Sequence, residues 1–252
     1  MSLLELQRRL TYGPIDSRRL GRSLGINILP FDRKVCTFDC CYCQYGRTMD
    51  RGDSFEGFPT VDEVVRAVEA ALWQNQTLDA ITFSGNGEPT IHPEFPAIVR
   101  KVRFLRDKLA SAVPLVLLSN SSVSLNERVR QAISLLDMRI MKLDVGGQET
   151  LDDVNRPRRG ITFDDIVSGL SGTPDVVIQA LFVKGSVDNR TDTLLKEWID
   201  ALTRVNPLEV QVYSLDRPVP DKGLEPVGMK ELEDIAELVR SKLHVKAKAY
   251  GR

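Results

Sequence analysis

All four cysteines of the 252-residue chain fall in one run, Cys36-Thr37-Phe38-Asp39-Cys40-Cys41-Tyr42-Cys43. Cys36, Cys40 and Cys43 have the spacing C-x3-C-x2-C. Three thiolates so spaced suit an iron-sulfur cluster that leaves one iron without a protein ligand. An open iron admits a substrate or cofactor, whereas a fully ligated cluster serves electron transfer or structure. A disulfide framework would need well-separated partners and a secreted context, and a bridge between neighbours Cys40 and Cys41 would be strained. Structural zinc is the stronger alternative, but it needs four ligands, usually in two separated pairs, and the chain offers only His92 and His244 besides the thiols. Successive loop residues cannot both aim at one cluster without distortion, so Cys41 is expected to turn away as a small packed thiol.

Further polar residues fall in loops where chemistry could gather. Ser84-Gly85-Asn86-Gly87-Glu88-Pro89-Thr90 is a glycine-rich turn that can bring backbone close to a ligand and present one carboxylate. Ser119 and Asn120 offer a hydroxyl and an amide to a ribose or carboxylate, or else cap the following helix. Lys142 and Asp144 alternate along a strand and therefore share a face, where a buried opposite-charge pair is costly unless something uses it. Gln179 belongs to a later strand, and Arg156 and Arg217 to later loops. The arginines could clamp a phosphate or carboxylate, although arginine-rich loops are more often solvated. His92, just before Pro93, reads as a residue at the start of a helix before it reads as a base.

The elements that must position these residues alternate. Strands are predicted at Ile26 to Leu29, Ala80 to Ser84, Leu115 to Leu118, Arg139 to Leu143, Val176 to Val183 and Glu209 to Tyr213. Helices are predicted at Val61 to Gln74, Phe95 to Leu109, Asn126 to Leu135, Phe163 to Leu170, Leu194 to Val205 and Lys230 to Leu243. Thr60 with Glu63 forms a capping-box signature, and Asn126 can cap the third helix. Six βα units follow, with a possible seventh strand at Val245 to Tyr250. Six units are too few for a complete eightfold barrel, so the sheet is either open and doubly wound or a partial barrel. In both, sites lie at the carboxyl ends of the strands, and the cysteines follow the first one.

Composition limits the rest. The chain is 42% hydrophobic and 27% charged, with a formal net charge of -1, so no global basicity advertises nucleic acid. The amino terminus lacks the unbroken apolar run of a signal peptide, and no segment approaches a membrane span in length. Reduced thiols without a targeting signal point to the cytoplasm. One domain is expected over 1–252, with 1–24 as an extension packing on the barrel and 244–252 as a terminal strand or tail.

The cysteine motif, with Tyr42 just before the last ligand, resembles the signature of the radical S-adenosylmethionine (SAM) superfamily. The runs Ser17 to Asn27, Cys36 to Thr48, Ser84 to Thr90, Lys142-Leu143-Asp144, Asn155-Arg156-Pro157 and Asp216-Arg217-Pro218 resemble the branch grouped with the wyosine-synthesising enzymes. That resemblance implies an α/β fold of the partial (β/α)6, TIM-like type, with a [4Fe-4S] cluster on Cys36, Cys40 and Cys43 and SAM as cofactors. It places Gly85, Asn86, Gly87 and Glu88 at the methionine end of SAM and Tyr42 near its adenine. Ser119, Asn120 and Gln179 are expected to complete the cofactor site, and Lys142, Asp144, Arg156 and Arg217 to face the substrate. The implied reaction is reductive cleavage of SAM to a 5′-deoxyadenosyl radical that acts on a small molecule or nucleotide, tRNA included. The implied reductant is a flavodoxin or ferredoxin, and no membrane partner is expected. The wyosine synthetase itself carries further cysteines upstream, whereas none precedes Cys36 here. An activating enzyme for a glycyl-radical protein and a non-enzymatic iron-sulfur or zinc protein are the competing readings.

Overall fold

The computed structural model describes residues 3–75 and 77–251. Its main sheet has eight strands in the order β1 (Thr11–Ser17), β2 (Gly21–Ile26), β3 (Ala80–Phe83), β4 (Leu115–Ser119), β5 (Met138–Lys142), β6 (Val176–Leu181), β8 (Glu209–Tyr213) and β10 (Lys246–Tyr250). Strand β1 pairs antiparallel with β2; every other neighbouring pair is parallel. The short strands β7 (Val183–Gly185) and β9 (Leu224–Pro226) form a separate two-stranded pair. Helices α1 (Val61–Gln74), α2 (Phe95–Leu109), α3 (Glu127–Ile133), α4 (Gln148–Val154), α5 (Phe163–Ser171), α6 (Asp192–Val205) and α7 (Met229–Leu243) connect the strands. The parallel strands curl into a partial barrel that does not close by ladder pairing, since β1 and β10 remain its edges.

Both faces of the curled sheet are covered, which is why β6 is buried at every position, Val-Val-Ile-Gln-Ala-Leu. The outer face joins the helices in the main core. Ala80, Val116, Ile140 and Val177 form a second, smaller apolar layer with Leu20, Leu118 and Met138. These residues alternate with the core-facing ones along each strand, so the small layer marks the lumen.

Several elements differ from the sequence expectation. The first barrel strand ends at Ile26 instead of running to Leu29, because the Asn27 carboxamide bonds both the N–H and the C=O of Leu29 and bends the chain away. Part of the presumed amino-terminal extension is strand β1, whose alternation is interrupted by Gly13-Pro14 and by an irregular register between Tyr12 and Ile15. Helix α4 and the β7–β9 pair are too short to give a periodic signal.

Caps fix the helices that frame the mouth. Thr60 and Glu63 form a reciprocal capping box at α1. Behind the loop after β5, a Cβ on Gly146 would stand 2.2 Å from the backbone of Glu197 and Trp198, so α6 packs directly on that loop. Trp198 donates its indole N–H to the Leu143 carbonyl at 2.8 Å and meets Phe182 edge-on at 5.0 Å. The chain leaving β5 is thereby pinned where Asp144 emerges.

Candidate active site

The loop between β2 and α1 carries the cysteines and is anchored to three neighbouring strand ends. Val35 exchanges backbone hydrogen bonds with Asn86 and Glu88, Asp39 donates to Asn155, and Cys41 donates to Val154. Gly87 has φ +144°, and a Cβ there would lie 1.8 Å from the Val35 carbonyl oxygen; a Cβ on Gly85 would lie 2.4 Å from Asn27 Oδ1. The two glycines are therefore required so that the glycine-rich turn can press against the cysteine loop, not by approach to a ligand alone.

Two of the three spaced thiols receive a side-chain amide donor: Asn120 Nδ2 approaches Cys36 Sγ and Asn155 Nδ2 approaches Cys40 Sγ, each at 3.5 Å. The Lys34 ammonium donates to the Gly46 carbonyl at 2.8 Å; burial lowers its pKa, but the charges of Cys43, Cys36 and Cys40 raise it overall. Burial pushes the Cys36 thiol up and the Cys40 thiol up to about 11, and Lys34 only partly offsets this at Cys36. Deprotonated sulfurs in such surroundings call for a multivalent cationic partner, and amide donors suit sulfur ligands of a cluster. Among the described residues, no three His, Cys, Asp or Glu side chains converge tightly enough to hold one metal ion. Ligands on separate irons of a cubane stand farther apart than ligands of one ion, so the donor set fits a cluster better than zinc. Cys41 is fully buried in the main core, with its thiol pushed up to about 12 by burial.

The expected SAM-binding residues are close to the thiols, but most of their polar atoms are committed to the protein. Glu88 is buried, and burial raises its carboxyl pKa. Its Oε1 accepts from the Thr90 N–H and hydroxyl and from Ser119, while Oε2 accepts from the Asn120 N–H. The Asn86 side chain donates to the Pro30 and Gln7 carbonyls and accepts from Gln7 N–H, so it fastens the amino-terminal segment. Ser119 and Asn120 likewise serve Glu88, Thr37 and Cys36. Tyr42 is buried, with its hydroxyl donated to Asp144.

Asp144 is a hub. Its Oδ2 accepts from Tyr42 and Asn155, its Oδ1 from the Leu181 N–H, and Lys142 Nζ pairs with it at 3.0 Å. A carboxylate with its acceptor sites engaged in this way positions its neighbours. Lys142 Nζ also donates to Tyr213 Oη at 2.7 Å and lies over the Tyr42 and Tyr213 rings. Burial lowers the Lys142 pKa, but Asp144 and Tyr213 outweigh burial and raise it overall, so the resting group is an ammonium. The register places Gln179 beside Lys142, Gln211 beside Gln179 and Lys248 beside Gln211, a polar layer crossing the lumen above the apolar one.

Arg156 and Arg217 do not act as one clamp. Arg156 has φ +48°, and its carbonyl accepts from Arg51 on the cysteine-loop side. Arg217 is exposed and lines a cavity of about 310 Å³ and an adjoining groove of about 730 Å³; Arg156 lines neither. Sequence reasoning missed Lys34 and Asn155 as thiol partners. Their signals were Lys34's place two residues before Cys36 and the run Asn155-Arg156-Pro157. His92 is a helix-start residue: Nε2 bonds the Pro59 carbonyl and Nδ1 accepts from the Glu94 N–H.

A family model described as the radical SAM superfamily matches residues 34–197, and the chain belongs to that superfamily. The chain is 27% identical over 91% of its length to a protein of Brachyspira hyodysenteriae named GTPase Obg, of which it spans 33%. A UPF0026 protein of Synechocystis is 33% identical over 83% of this chain and 76% of its own length. A radical SAM methyltransferase from Sphaerobacter thermophilus superposes with a TM-score of 0.66 over 91% of this chain and 66% of its own, at 16% identity. TYW1 with a lysine-pyruvate adduct bound superposes at 0.60 over 87% of this chain and 73% of its own, at 11% identity. These likenesses establish a radical SAM fold with a [4Fe-4S] cluster and SAM as its cofactors. No helix among the described residues is long and apolar enough to cross a membrane.

Proposed function

We propose that this chain is a radical SAM enzyme whose cluster is held by Cys36, Cys40 and Cys43 and whose substrate is a small molecule or nucleotide. The observation that carries this reading is the set of three spaced thiols, with amide donors on Cys36 and Cys40 and the Lys34 ammonium in their field, connected through Asn155, Tyr42 and Asp144 to a lysine in the lumen. Held by Cys36, Cys40 and Cys43, a reduced cluster would supply the one electron needed for reductive cleavage of SAM to methionine and a 5′-deoxyadenosyl radical. Glu88 retains acceptor capacity on Oε2 toward the amino group of SAM, and Gly85 and Gly87 give the turn its close fit against the cysteine loop. Asn155 and Asp144 hold Tyr42 and Lys142 in place, and the apolar lumen floor excludes water beneath them.

Lys142 faces the substrate. As an ammonium it orients a carbonyl or anionic group; if it transfers its proton to Asp144 or to substrate, it can condense with a carbonyl as an imine. The TYW1 likeness, with its lysine-pyruvate adduct, favours this second use. A one-electron donor such as a flavodoxin or ferredoxin supplies the reductant. The test is anaerobic reconstitution with iron and sulfide, then reduction with dithionite in the presence of SAM. Formation of 5′-deoxyadenosine and methionine is the expected result; an assembled, reducible cluster that leaves SAM intact would overturn the enzymatic reading. Lys142→Met should still release 5′-deoxyadenosine without substrate and lose product formation with it.

A further inference from the structure

The turn between β1 and β2 spans the open seam of the barrel. Just past the turn, the Arg22 N–H donates to the Asp79 carboxylate and the Arg22 carbonyl accepts from the Asp79 N–H, just before β3, while Arg18 bonds Asp216 after β8 and the Gly251 carbonyl after β10. The 310 Å³ cavity lies under this turn. Arg19 lines it, with its guanidinium carbon 4.9 Å from the Tyr213 ring centroid and 5.6 Å from that of Tyr250.

Arg19 lacks what the other cations here possess. Arg18 pairs with Asp216 and Lys142 with Asp144, but among the described residues no carboxylate pairs with Arg19, and its buried Nη1 has no acceptor. Lys142 lies 4.8 Å from the same Tyr213 centroid, so two cations share one ring and only one of them is neutralised. Arg217, also lining the cavity, makes no ion pair among the described residues. Against Arg18, Arg19 and Arg217 the cavity wall presents only Asp216, already paired, and Asp16, which is exposed. Hydroxyls of Ser17, Ser23, Thr82 and Ser84 complete a wall able to donate to oxygen anions. An unpaired guanidinium beside a partly enclosed polar cavity favours an anion, and a planar fork binds carboxylate or phosphate oxygens in pairs.

We propose that Arg19 and Arg217 form an anion-binding site for the carboxylate or phosphate group of a small-molecule substrate. This deepens the function proposed above and rests on it. Tyr213 gives the site its geometry: its ring carries Arg19 and its hydroxyl takes Lys142, so an anion on Arg19 leaves the rest of the molecule to extend toward Lys142. The volume suits a small molecule or one end of a larger one, and the adjoining groove, which shares Arg18, Asp216 and Arg217, is the route of access.

The experiment is a thermal-shift titration of the reconstituted protein with inorganic phosphate and, separately, with acetate, at ionic strength held constant with chloride. Phosphate saturating at lower concentration than acetate marks a phosphate site, and the reverse order a carboxylate site. Arg19→Gln is expected to weaken the preferred anion about tenfold or more and Arg217→Gln several-fold, whereas Arg22→Gln, an exposed arginine of the same hairpin, leaves binding unchanged. If Arg19→Gln does not fold, Arg217→Gln decides. No saturable response to either anion, or a response unchanged in every folded arginine variant, overturns the site. SAM cleavage by the unaltered protein is scored separately: cleavage without anion binding sinks this site alone, and anion binding without cleavage sinks the enzymatic reading on which its role depends.

Discussion

A thiol buried without a countercharge stays protonated, so the cysteines must be separated by what surrounds each sulfur. Cys36 and Cys40 each meet an amide N–H donor, the Lys34 ammonium lies in the field of all three spaced thiols, and Cys41 meets the apolar core. Changing any of the first three to Ala should abolish the brown four-iron chromophore after reconstitution, and Cys41→Ala should retain it; a colourless Cys41→Ala protein that is otherwise folded would refute the ligand assignment. Asn155 offers a finer measurement, since hydrogen bonds to a cluster sulfur stabilise its reduced, more negative state. Asn155→Ala should keep the cluster and lower its midpoint potential by on the order of tens of millivolts, read by redox titration followed by EPR.

At the scale of elements, loops meet because particular residues permit it. Gly87 lets the glycine-rich turn touch Val35 next to Cys36, so Gly87→Val should drive the cysteine loop away at a cost of about 1–3 kcal/mol. Reduced iron incorporation, together with a lower denaturation midpoint, is the expected outcome. His92 ties the start of α2 to Pro59 through a neutral ring that donates at Nε2 and accepts at Nδ1. Burial holds its pKa below the ordinary 6.5, so between the folded and unfolded values the unfolded chain binds the extra proton. Stability from this residue is complete above about pH 6.5 and declines as pH falls toward the folded value, by at most about 1.4 kcal/mol per pH unit. Denaturant midpoints measured from pH 7.5 to 5 should show this slope, and His92→Gln should flatten it.

For the whole molecule, the cysteine loop is built into the barrel. Cys36, Phe38, Cys41 and Tyr42 belong to the main core, Cys40 packs against it, and the loop keeps backbone bonds to Asn86, Val154 and Asn155. Removing iron by chelation should therefore leave the far-ultraviolet circular dichroism intact and lower Tm only by the linkage of a ligand bound to the folded state. Loss of cooperative unfolding in the iron-free protein would show instead that the cluster organises the fold.

The sequence by itself made the superfamily and the repeating architecture legible. The C-x3-C-x2-C spacing named the three ligands of the proposed cluster, and hydrophobic runs separated by capped helices located five of the seven parallel strands closely, from Ala80 to Tyr213. The seventh, Lys246–Tyr250, was read only as a possible strand, and the first was displaced because Asn27 closes a local bond that hydrophobicity does not report. Local signals could not say which polar atoms would be used up within the protein. Asn86, Ser119 and Asp144 read as ligand-facing, and long-range hydrogen bonds commit them to Gln7, Glu88 and Tyr42. Nor could spacing along the chain join Arg19 to Tyr213 and Tyr250, because the β1–β2 turn reaches them only when the sheet curls and its two edges approach across the seam. Periodicity is written residue by residue, whereas the neutralisation of a buried charge depends on contacts between segments nearly two hundred positions apart, and only the tertiary structure decides those.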